Sequence, residues 1–194
     1  MASSSSRPTG VLTRITDGGA IRDLLGRVDE IVDIPARFRL GALEARGWAA
    51  VPIESANHLD EAIMRRIVDA CPPCHIKSLY AVETEKLVTE RRCYSLPTSI
   101  EGLVSFNRIL GLMYCALFPP GIDWLILCTR DEHYAVAGTL ELVEMLVGKS
   151  ADHALAAFRE FASDPVCDRR QREFYSGVVD RYQAIVTEQR RRTG

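Results

Sequence analysis

The stretch that most constrains this chain runs over residues 99–148. Within it, residues 124–129 (WLILCT) are apolar almost without a break, as a strand buried on both faces is. Residues 130–133 make a polar turn, and residues 134–138 (YAVAG) return as the hairpin partner. Upstream, Thr98 and Glu101 fit a capping box just before an apolar run. That pattern predicts a helix extending to about Phe118, whose second half (ILGLMYCALF) is apolar nearly all round and therefore central and buried. Pro119 and Pro120 end it. Downstream, Thr139 caps a helix that runs to Val147 and is closed by Gly148. A buried helix, a β-hairpin and another helix form the core of an α+β domain.

Around this core the periodicity predicts further elements. A first helix starts at Gly19 or Ala20 and runs to Asp33, with Leu24, Val28 and Ile31 among its inward positions, and Pro35 stops it. A short helical piece over residues 38–45 is closed by Gly47. Residues 48–53 (WAAVPI) read as a strand whose Pro52 points to a sheet edge or a strand end. Asn57 is the expected N-cap of the next helix, with Asp60 adding charge near its start, and Pro72 and Pro73 terminate it. Residues 78–85 alternate as a strand, with residues 93–96 as a short partner. Ser150 caps a helix to about Ser163. A last helix spans about 169–189 with Phe174, Val178, Tyr182, Ile185 and Val186 as its stripe. The expected architecture is α+β: a mixed or antiparallel sheet of four or five strands, packed by helices, with a helical C-terminal segment. Residues 1–10 (MASSSSRPTG) read as a disordered tail, residues 11–194 as one domain, and residues 165–194 as its C-terminal helix.

The 194 residues suffice to bury a core without a metal or disulfide. A net charge of −2 gives no overall attraction to nucleic acid or membrane. Only Lys77, Lys86 and Lys149 of the 24 basic residues are lysines. The N-terminus lacks the apolar core of a signal peptide. The longest nearly apolar run, residues 109–118, is half of what a membrane span needs. The expectation is a cytoplasmic protein with reduced thiols and no cofactor. The segment 165–194 carries seven arginines against Asp168, Glu173, Asp180 and Glu188. It reads as a solvated helix end with cations at the negative pole of the dipole.

Few polar clusters could carry chemistry. Cys71-Pro-Pro-Cys74-His75 contains the C-x-x-C spacing of redox and metal sites. It falls after a helix and before a strand, the reverse of the arrangement in which a helix N-terminus activates the first thiol. A metal site on Cys71, Cys74 and His75 would still lack a partner pair at ligand spacing. A proline-stiffened turn explains the string more simply. Arg130-Asp131-Glu132-His133 gathers acid, base and cation at the mouth of a buried strand, where His133 could act as a base oriented by Asp131 or Glu132. Glu83 and Glu85 are two apart on a predicted strand, so both would point to one face. The phosphate-binding loops, the nucleophile elbow and the His-Glu-x-x-His zinc motif are absent from the sequence.

Two readings follow. The first is a non-enzymatic protein–protein interaction module, an immunity-type, regulatory or accessory subunit with a protein partner or a second copy of itself. The second is a small enzyme with a polar site at the hairpin mouth built from Glu83, Glu85, Asp131 and His133. It requires those four side chains to converge on one pocket.

Overall fold

The computed structural model describes residues 11–33, 35–56, 59–71, 76–85 and 90–193. The elements, in chain order, are β1 (Thr13–Arg14), α1 (Gly18–Ile31), β2 (Val32–Asp33), β3 (Arg37–Phe38), α2 (Leu40–Arg46), β4 (Ala49–Glu54), α3 (Glu61–Ala70), β5 (Ser78–Glu83), β6 (Cys93–Pro97), α4 (Ile100–Leu110), β7 (Cys115–Phe118), β8 (Trp124–Cys128), β9 (His133–Gly138), α5 (Leu140–Val147), α6 (Ala151–Ala162) and α7 (Arg169–Thr193). Asn57, Cys74, His75, Pro72, Pro73 and the N-terminal ten residues lie outside the described residues.

Seven strands form one antiparallel sheet in the order β1-β6-β5-β7-β8-β9-β4, and β2 pairs with β3 in a separate two-stranded ladder. The expected four or five strands are therefore too few. The two missed strands are β1, only two residues long, and β7. Residues 115–118 were expected to end the central helix. That helix instead stops at Leu110. A continuously apolar run has no period of its own, so pattern alone does not separate a buried helix from a buried strand. Sheet pairing decides: Cys115–Phe118 fills the gap between β5 and β8 and bonds to both. The hairpin β8–β9 forms as predicted, with Trp124 opposite Gly138 and Cys128 opposite Tyr134. β4 is an edge, paired only to β9, as its Pro52 suggested.

Local chemistry sets the helix ends. Asp60 caps α3, its carboxylate accepting from Ile63 N at 2.8 Å. The α4 cap is Ser99, one residue later than the capping-box reading, with its hydroxyl accepting from Gly102 N at 3.2 Å. Thr98 is buried, and its hydroxyl has no partner. Thr139 and Ser150 cap α5 and α6, and Gly148 closes α5 in the left-handed conformation at φ 73°. On α7 the buried stripe is Tyr175, Val179, Tyr182, Ile185 and Val186. Phe174, expected inside, is exposed, because the first half of the stripe is rotated by one residue.

Helices cover both faces of the sheet, which is why β7, β8 and β9 are buried along their whole length. Strand alternation assigns the faces. One face carries Glu83, Cys115, Cys128 and Tyr134 in one cross-strand row, and α3, α4 and α5 pack together there. The other carries Ala50, Ala135, Ala137 and His133. The three alanines let the long helix α7 lie close against β4. No helix among the described residues is long and apolar enough to cross a membrane.

Candidate functional site

The β8–β9 turn is held by its own polar groups. Thr129 N donates to His133 O at 3.3 Å, which leaves a three-residue loop. Glu132 adopts a left-handed conformation there, φ 55°. A residue with a Cβ pays about 1 kcal/mol for it. The Thr129 hydroxyl donates to His133 O at 2.6 Å and accepts from Asp131 N at 3.1 Å. His133 Nδ1 lies 2.9 Å from Asp131 O. A carbonyl oxygen only accepts, so Nδ1 carries the proton and Nε2 is the basic nitrogen.

His133 starts β9 on the α7 side of the sheet and is 5% exposed. Its ring packs edge-on against Phe158 of α6 at 5.4 Å and Tyr175 of α7 at 6.2 Å. Burial lowers its pKa, opposed by the bond to the Asp131 carbonyl and by the Asp131 carboxylate. The imidazole is therefore neutral at pH 7. His133 forms part of the wall of a cleft of about 580 Å³. The cleft runs between the loop leading into β3, the hairpin turn and the middle of α7. Arg37, Tyr114, Asp131, Glu173 and Arg181 supply its other polar groups. Phe174, Val178 and Tyr182 supply an apolar side. Arg181 donates through Nη2 to Phe38 O at 2.7 Å, while its Nε is buried with no partner.

The four side chains expected to converge divide between places. Asp131 and His133 line the cleft. The Asp131 carboxylate accepts from Tyr114 OH at 3.2 Å. Burial first, then Asp131, raises the Tyr114 pKa. Arg130 stacks over the Tyr114 ring at 5.4 Å and pairs with Glu85 at 3.2 Å. Glu85 thus joins the same polar cluster through Arg130, without lining the cleft. Glu83 stands apart. It sits on the opposite face of the sheet, 5% exposed, where its carboxylate accepts from Arg92 N at 3.1 Å and Tyr94 OH at 3.4 Å. β5 ends at Glu83, so the period-two argument that joined it to Glu85 does not extend that far.

Cys71 is buried beside Trp124, and burial raises its thiol pKa, opposite to the shift an attacking thiolate needs. Cys74 and His75 lie outside the described residues. No group of three His, Cys, Asp or Glu among the described residues is placed to hold a metal. Sequence reasoning missed Tyr114, Arg37 and Arg181. Tyr114 was read as helix interior. Arg181 flanks the α7 stripe next to Tyr182, a polar position on an otherwise buried edge, and that was the one legible signal. No family model, curated protein or solved structure matches this chain. Fold and cleft together describe an α+β chain with an antiparallel sheet packed between helices and a cleft at the hairpin mouth.

Proposed function

We propose that this chain is a binding module whose recognition site is the cleft at the hairpin mouth. Its ligand is a small molecule with a hydrogen-bond donor and an anionic group on an apolar body. His133 carries the reading. Its tautomer is fixed by the Asp131 carbonyl, which leaves Nε2 as the acceptor, its burial keeps it neutral, and it forms part of the cleft wall. Arg37 and Arg181 face the anionic group. Phe174, Val178 and Tyr182 take the body. The volume lies within the usual range for small-molecule sites. The small enzyme of the second sequence reading needs Glu83 and Glu85 in the same pocket, and it lacks that support: Glu83 lies on the opposite face of the sheet and Glu85 does not line the cleft.

The test is ligand-observed NMR on the full chain with a panel of small hydroxy- and amino-carboxylic acids. Binding is expected in the wild type, lost in His133→Phe and weakened in Arg181→Gln. Equal binding to His133→Phe, or no binding by any panel member, would sink the reading.

A second reading, a protein interaction module, has its own observation. The outer face of α4 and the turn after it leave Val104, Ile109 and Leu112 exposed, Leu112 at 66%. A partner protein or second copy that binds wild type but not Val104→Glu or Leu112→Glu supports it.

A further inference from the structure

We propose that the groove between α1 and the β1–β6 edge binds a phosphorylated small molecule with an apolar or aromatic body, of the nucleoside polyphosphate type. The groove encloses about 490 Å³. Four arginines, Arg14, Arg22, Arg91 and Arg92, line it against a single acid, Glu90. In a chain of net charge −2 that is a local concentration of one sign.

The four arginines are not equivalent. Arg91 is 10% exposed and forks onto the Asp29 carboxylate at 2.6 and 2.5 Å. It is a structural wall. Arg92 lies loosely against Glu83 at 3.9 Å. Arg14 and Arg22 are exposed, and their guanidinium groups make neither an ion pair nor a hydrogen bond among the described residues. Like charges around one opening repel within a Debye length, and a bound polyanion relieves that repulsion. Guanidinium forks match phosphate oxygens in geometry as well as charge.

The rest of the groove specifies more than a phosphate. Ile15, Ile21 and Leu25 are half-buried and form an apolar floor beside the arginines. Arg22, Leu25 and Asp29 recur at helical spacing on one side of α1. The Arg91–Asp29 pair therefore stands beyond Leu25 and bounds the groove at that end. A bounded groove without an aromatic platform suits a compact ligand better than a continuous single strand.

Calorimetric titration of the full chain decides it, with inorganic tripolyphosphate, ATP, GTP and a single-stranded oligonucleotide as probes. A nucleoside triphosphate is expected to bind at one site. Tripolyphosphate should bind about tenfold more weakly, because it leaves the apolar floor unused. Arg14→Ala and Arg22→Ala should each weaken nucleotide binding about tenfold, and Arg159→Ala on α6 should leave it unchanged. Should either alanine variant misfold by circular dichroism, Arg14→Gln and Arg22→Gln replace it. The proposal is overturned by no nucleotide binding at millimolar concentration or by tripolyphosphate binding as tightly as nucleotide. Arginine variants that bind like wild type overturn it too, as does an oligonucleotide that binds more tightly than either nucleotide.

Discussion

His133 and Glu83 lie on opposite faces of one sheet. Glu83 pairs with Cys115, Cys115 with Cys128 and Cys128 with Tyr134. The side chains of that row point one way, and His133, one residue before Tyr134, points the other. Two polar residues at the same end of the sheet therefore serve different surroundings. Glu83 is consumed by Arg92 and Tyr94, while His133 opens on the cleft.

The buried, neutral His133 makes stability depend on pH. Its folded pKa lies below the unfolded value of about 6.5. The unfolded state therefore binds the extra proton first, and stability falls as pH drops below about 6.5. Urea midpoints measured from pH 8 to pH 5 should show this loss, and His133→Phe should flatten that part of the profile. A variant with an unchanged profile would show that the ring is not buried neutral.

Phe158 packs against His133 at 5.4 Å and against Tyr175 at 5.9 Å, and it is 1% exposed. Phe158→Leu should cost about 1–2 kcal/mol through lost packing. It should also admit water to the imidazole and raise the His133 pKa, read by proton NMR of the ring.

The fork between Arg91 and Asp29 ties β6 to α1. Asp29→Ala leaves a nearly buried guanidinium without its carboxylate. The partial exposure of Asp29 limits the loss to about 1–2 kcal/mol, and chemical denaturation measures it. A loss below the error of that method would show the pair to be ornamental.

Gly102 is where α4 meets β6. A Cβ there would stand 2.2 Å from Pro97 O, a backbone atom that cannot swing aside. Gly102→Ala should destabilise by about 2–3 kcal/mol despite alanine's better helix propensity. Gly26→Ala in α1, where nothing lies within 4 Å, should instead stabilise by up to about 1 kcal/mol. Thermal melts of the two variants should shift in opposite directions.

Much of the fold is legible in single segments. The β8–β9 hairpin, the Thr139 and Ser150 caps and the Gly148 stop follow from turn chemistry and side-chain hydrogen bonds within four residues, which the sequence states directly. The edge position of β4 follows from Pro52, which lacks the N–H that a second partner would need. Other features depend on partners far away in the chain. Residues 115–118 became a strand because β5 and β8 offered two open edges, a reason invisible in an apolar run with no period. The α7 stripe rotated because the rings of α6 and the β9 end selected Tyr175 over Phe174. The cleft belongs to the same class. Residues 130–133 were marked as its polar tip by sequence, but Tyr114, Arg37 and Arg181 reach it from the loop before β7, from β3 and from α7, and Glu83 is withheld by strand register. Local hydrogen bonding and periodicity determined the elements; pairing between distant strands, which fixes which side chains share a face, decided the site.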